Sequence, residues 1–257
     1  MLELFLAEIR RSWIEFIRYP MEAIGGVFVT TIIFYGLFLG AKYVAGASFT
    51  LGDRLEAIII GYVLWTLVLF VINNTAGRLQ YEAQTGTLEQ VFLSPFGATT
   101  VFFLRAIASL ILQLLIEIVI LVIIITLTGS KIEFPLILFL PLLTVLLGAY
   151  GLAFIMGALA LLFKRVQQLL GLFQFGLLFL LATPLETLPK FGQSVFKLLP
   201  MTLGANILRD LMARNTSINW LEFSLALVNG LVYLVIGLLI FRFCAKQVKK
   251  RGSLSGY

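Results

Sequence analysis

The sequence predicts an all-α integral membrane protein with six transmembrane helices, and three observations predict it. Of 257 residues, 60% are hydrophobic and only 12% are charged, where a soluble domain carries about 45–50% apolar and about 25% charged residues. The mean hydropathy is +1.04. Apolar runs long enough to cross a bilayer recur along the chain. These features exclude an ordinary soluble enzyme, a disulfide-stapled secreted domain and a disordered chain. There is no histidine and a single cysteine, so His-based acid–base catalysis, a Cys/His zinc site and an internal disulfide are excluded too. The net charge of +6 reads as anchoring on the cytoplasmic side of a membrane, not as nucleic-acid binding.

The first twenty residues carry Glu3, Glu8 and Glu15 among Arg10, Arg11 and Arg18. They lack the compact apolar core of a signal peptide. Leu2, Phe5, Leu6, Ile9, Trp13, Phe16 and Ile17 recur at helical spacing, with charge on the opposite face. This predicts an amphipathic helix over 1–22, ending near Tyr19-Pro20. An in-plane position on the membrane surface is favoured over packing against the protein's own cytosolic side, because Trp and Arg suit that boundary.

Six apolar segments follow, at about 23–40, 57–76, 99–128, 135–163, 169–184 and 223–243. The third and fourth are long enough to tilt or extend past the hydrocarbon. Between the last two, residues 186–217 mix short apolar patches with Pro189, Pro200 and Gly204, which suits short re-entrant or interfacial helices. The whole chain reads as one transmembrane domain over 1–257. Lys/Arg placement puts both termini inside, with the tail Lys246, Lys249, Lys250 and Arg251 the strongest determinant. Lys164 and Arg165 read as interfacial anchors.

The longest inside loop, 78–96, has its own pattern. Gly86 permits a sharp turn, Thr87 and Gln90 have the spacing of a capping box, and Glu89 suits a helix first turn. Leu88, Val91 and Phe92 form a small apolar face before Pro95 stops the helix. Two readings stand for this short helix: docking into a groove on a cytosolic partner, or lying on the lipid surface.

The loop resembles the E-x-x-x-G-T-L-E-x-x-x-x-S-P stretch of permease subunits of ABC-2 type exporters, through Glu82, Gly86, Thr87, Leu88, Glu89, Ser94 and Pro95. A second stretch, Pro184 to Pro189, then Leu199-Pro200, then Ala205 to Leu211, is similar to that family's segment after span five. It departs in Leu199-Pro200, where Asn-Pro is common, and at Leu208-Arg209. The resemblance implies a non-catalytic permease that pairs with a second copy and binds two cytosolic ATP-binding subunits. No G-x-x-x-x-G-K-[ST] occurs in the chain, so ATP and magnesium are expected in the partner subunit. Glu82, Gly86, Thr87, Leu88, Glu89, Gln90 and Phe92 would then form the force-carrying contact, with Leu88 and Phe92 as its buried anchors. The implied cargo is an amphipathic drug-like, lipid or lipooligosaccharide compound, exported across the plasma membrane. A polysaccharide or glycolipid exporter of the same build is the nearer alternative. An ATP-independent channel or scaffold is the other.

Within the spans, Glu117 is the one carboxylate in the third segment, with Gln113 one turn before it. Burying it in a bilayer costs about 2.5–3.5 kcal/mol. It is therefore either a pathway or gating group, or a structural hydrogen-bonding group meeting Tyr150 or Asn229, and the second is favoured. Asn73, Asn74 and Gln174 are further polar spots; Asn73 and Gln174, with Tyr35, Phe38, Trp65 and Phe173, are pathway candidates by analogy with the family. Gly36-x-x-x-Gly40 and Ala149-x-x-x-Ala153-x-x-x-Gly157 permit close helix approach, read as packing within the bundle, with a dimer seam the alternative.

Overall fold

The computed structural model describes residues 2–45, 52–130, 132, 134–163, 166–182, 189–214 and 216–250. Lys164 and Arg165, the Pro184–Leu188 part of the second motif, and Arg251 lie outside the described residues.

The amphipathic start forms α1 (Leu2–Arg18) and the chain breaks at Tyr19. Pro20 opens α2 (Pro20–Ala45), as proline suits a first helical position. The next span, α3 (Gly52–Ile72), does not end near Ala76 as the hydropathy suggested. It continues through a π-helical turn, Asn73–Gly77, into α4 (Arg78–Thr85). Half of the expected loop is thus a helix in line with the span. Gly86 then takes a left-handed φ of 73°, the conformation in which glycine carries no Cβ penalty. A short helix, α5 (Leu88–Phe92), leads to α6 (Ala98–Thr128) and α7 (Phe139–Phe163).

Next comes α8 (Gln167–Ala182), with 16 residues. At 1.5 Å per residue it is about 24 Å long, short of a hydrocarbon core of about 30 Å. The mixed region holds two short helices, α9 (Lys190–Leu198) and α10 (Thr202–Ala213), and α11 (Trp220–Lys250) closes the fold. Among the described residues, five helical stretches are long and apolar enough to span: 20–40, 55–82, 98–128, 136–163 and 220–250. The chain is a multi-pass helical membrane protein.

The core gathers around α7, which is buried on most sides, and α11 runs along it. Gly151 and Gly237 bring these two backbones together: a Cβ on either would overlap the other helix's main chain. Phe154 and Phe241 fill the layer beyond, their ring centroids 5.5 Å apart, and Phe102 of α6 meets Phe241 at 6.1 Å. Ala149, Ala153 and Gly157 pack inside the bundle, as their spacing suggested. Gly36 and Gly40 do not: a Cβ at either would meet nothing within 4 Å, and α2 is the least covered span. Helix α10 is held in the core through small residues, with Gly148 facing Met201 and Gly204 facing Thr144 and Val145.

Candidate functional site

Helix α1 lies with its polar side inward. Glu8 and Ser12 are buried against the bundle, and Leu2, Leu6, Trp13, Ile14 and Ile17 are exposed. In water this would be inverted. At a membrane surface the exposed apolar side meets lipid, and the inward charges must be paired.

They are paired in series, and helix α4 itself, between Arg78 and Glu82, closes the series into a ring, in which Glu82 Oε2 accepts no hydrogen bond. Arg105 of α6 donates through Nε to both carboxylate oxygens of Glu8, at 3.3 Å each, and through Nη1 to Glu82 Oε1 of α4. Glu8 lies 4.0 Å from Arg11, which donates to Glu15 at 3.0 Å. Arg78 of α4 completes the circuit by donating to Glu15 Oε2 at 3.1 Å. Three acids alternate with three bases, so the ring is neutral. It ties α1, α4 and α6 together through Arg78 and Glu82, one turn apart on α4. Arg105 is the buried hub, with its guanidinium 5.7 Å from the Phe102 ring centroid. Burial lifts the Glu15 carboxyl, but Arg78 and Arg11 more than reverse this and hold it below the ordinary carboxylate range. The ring rims a cavity of about 520 Å³ whose other wall is Tyr81, Thr85, Thr87 and Gln90.

The expected contact residues divide. Thr85, Gly86, Thr87 and Gln90 are exposed at the turn between α4 and α5, and Glu89 falls within α5. Leu88 does not offer itself to a partner; it is 2% exposed and belongs to the chain's own core. Phe92 is half-buried against the same core. Both pack inward because α5 is too short to bury its apolar face anywhere except on the bundle. The outward apolar groups are Tyr81, Leu93 and Phe96. The capping box also takes another form. The Thr87 hydroxyl engages Thr85 Oγ1 at 3.0 Å and the Glu82 carbonyl at 3.5 Å, and the Gln90 amide bonds the Thr87 carbonyl.

The pathway candidates fall into one aromatic–polar chain and one separate group. Tyr35 stacks near Phe38, Phe38 near Phe34, Phe34 on Tyr62 and Tyr62 on Trp65. Trp65 donates its indole N–H to the Gln174 carbonyl at 3.0 Å, and the Gln174 amide donates to Asn73 Oδ1 at 3.3 Å. These contacts join α2, α3 and α8, and Phe173 packs half-buried beside them. Glu117 stands apart. It accepts from Gln113 at 2.9 Å and from Thr66 of α3 at 3.1 Å. The suggested partners are engaged elsewhere: Tyr150 donates to the Ala106 carbonyl and Asn229 to the Leu198 carbonyl.

Sequence reading missed Arg105, Glu8, Arg78 and Glu15 as a unit. The available signal was the alternation of sign at helical spacing: Glu8, Arg11, Glu15 on one helix, and Arg78, Glu82 on another.

The described residues form a polytopic helical bundle with a short helical turn at one end, braced there by ion pairs. The family of ABC-2 type transporters matches residues 3–213, and the chain belongs to that family. It is therefore a permease component of an ABC transporter, a class that normally pairs with an ATP-binding subunit. No curated protein sequence matches the chain significantly.

Proposed function

We propose that this chain is the membrane half of an ATP-driven exporter. Two copies pair in the plasma membrane, and two cytosolic ATP-binding subunits dock beneath them. An amphipathic compound is moved out of the cytoplasm or the inner leaflet. ATP and magnesium act in the partner subunit.

The ion-pair ring carries this reading. A loop that only lay on lipid would need no buried three-helix brace at its base. Here the turn bearing Gly86 is fastened through Arg78 and Glu82 to α1 and α6, so force applied at the turn reaches the bundle. The docking surface is the exposed set Tyr81, Thr85, Thr87, Gln90 and Leu93. The second copy is supported by α2, which leaves Gly36 and Gly40 open.

The test uses the chain co-expressed and reconstituted with its ATP-binding subunit. Leu93→Asp and Tyr81→Asp remove exposed apolar contacts, so they are expected to leave insertion and thermal stability intact. Permease-stimulated ATPase activity and export should fall at least about tenfold, the loss of about 1.4 kcal/mol of contact. Normal stimulation in both variants, or export by the chain with no nucleotide-hydrolysing companion, overturns the proposal.

A further inference from the structure

Three polar stripes converge on one groove within the membrane-spanning part of the fold. On α6 they are Ser109, Gln113 and Glu117; on α3 and its extension, Thr66, Asn74 and Arg78; on α2, Glu22 and Thr30. Each stripe keeps to multiples of four residues, so each lies on a single helix face. The groove they line has a volume of about 370 Å³. A stripe such as Ser109 to Glu117 extends over roughly 12 Å of helix. Polar side chains in spans are costly and face protein or a polar cavity.

Some of these groups satisfy one another: Asn74 donates to Ser109, Gln113 and Thr66 to Glu117, and Arg78 to Glu15. The charges do not cancel. Arg78 is already committed to Glu15. Among the described residues, neither Glu22 near the groove's mouth nor Glu117 at its inner end has a cationic partner. Arg18, one turn before Glu22, sits instead over the Tyr19 ring. The groove thus holds two carboxyl groups with no cation beside them.

A second groove of about 410 Å³ adjoins it across the α2–α6 seam. Phe16, Ala23 and Ile116 line both. Its own walls are aliphatic and aromatic, including Ile24, Phe28, Val119 and Ile123. A polar slot carrying two carboxyl groups and a hydrocarbon slot thus share a wall.

We infer that the two grooves together bind an amphiphile with a protonated amine head, which lies in the groove that Glu22 and Glu117 line, and a hydrocarbon tail, which lies between α2 and α6. This deepens the permease reading by naming a cargo class, and rests on it for the role of cargo. Binding itself needs no ATP-binding subunit. The occupant's charge follows from complementarity: an anionic head would meet two carboxyl groups with no cation beside them, whereas an ammonium can pair with either.

The full chain in phosphatidylcholine nanodiscs is titrated with tritiated dodecylamine, dodecanol and dodecanoate, and binding to empty nanodiscs is subtracted. The expected order is amine first, preferred over the alcohol by roughly tenfold. Glu22→Gln combined with Glu117→Gln should abolish that preference and leave dodecanol binding unchanged. Val119→Trp, which fills the apolar slot, should weaken both probes alike. Glu22→Gln alone, at an exposed position that folding does not need, should reduce the preference in part. Equal binding of amine and alcohol, stronger binding of dodecanoate, or a preference that survives the double substitution overturns the inference. Loss of ATPase coupling with the amine preference intact would strike only the permease reading.

Discussion

Arg105 occupies a position in α6 where hydrocarbon neighbours would be ordinary, yet it is 8% exposed and charged. It is held there by Glu8, 97 positions earlier, and by Glu82, 23 positions earlier. Removing one member of a buried ion pair leaves the others desolvated and unopposed, at a cost of about 3–5 kcal/mol. Arg105→Gln is therefore expected to lower the thermal stability of the purified chain more than the triple substitution Glu8→Gln, Glu82→Gln, Arg105→Gln, which removes the stranded charges as well. Thermal unfolding in detergent checks the order; a triple variant less stable than the single one would show that packing, not charge, sets the loss. Glu82 was visible in the sequence through its motif, but its partners were not. Helical periodicity reports which residues share a face. It does not report that, next to lipid, the charged face of α1 turns inward.

Glycine separates two kinds of helix contact at the scale of the elements. Gly151 and Gly237 let the α7 and α11 backbones touch, and Gly36 and Gly40 on α2 touch nothing. Gly151→Leu should force the helices apart, with a loss of at least about 1–3 kcal/mol read as a drop in thermostability by size-exclusion. Gly36→Leu should leave that of the isolated chain unchanged. If instead Gly36→Leu destabilises the monomer, α2 packs against the bundle more closely than this structure shows. The sequence marked Gly36-x-x-x-Gly40 and missed Gly151, because small-residue spacing licenses close approach without naming the neighbour. Helix α5 teaches the same lesson at shorter range. Leu88, Val91 and Phe92 were correctly grouped on one face, but a single turn of helix buries that face on its own fold before any partner arrives. The existence and order of the long spans were legible, and α6 and the end of α7 almost to the residue, since hydropathy over about 20 positions outweighs any local signal. The junction at Asn73–Gly77 was not, because polar residues there imitate a loop.

For the whole molecule, several basic residues gather at one end. Phe102 and Phe241 bring the start of α6 beside the second half of α11, so Arg105 and Arg242 belong to the end that also carries α1 and α4. Lys249 and Lys250 follow in the last turn of α11. By the preference of Lys and Arg for the cytoplasmic face, we propose that this end faces the cytoplasm. Ser253→Cys, in a Cys244→Ser background, should react with an impermeant maleimide only after the cells are opened. Labelling in sealed cells would reverse the orientation. This tail lies beyond the described residues, and the test does not depend on its conformation.

The uninterrupted run from Leu55 to Glu82 contains 28 residues, about 42 Å of helix. Because α4 is the direct extension of α3, a push on Thr85–Thr87, if the proposed docking delivers one, would pass along one helical rod into the span. The five wider-wound residues Asn73–Gly77 sit along that rod as a slip joint, where the helix can shift its pitch by one residue and keep its hydrogen bonds. Stroke length at the membrane end would then be set by this joint more than by the strength of the push.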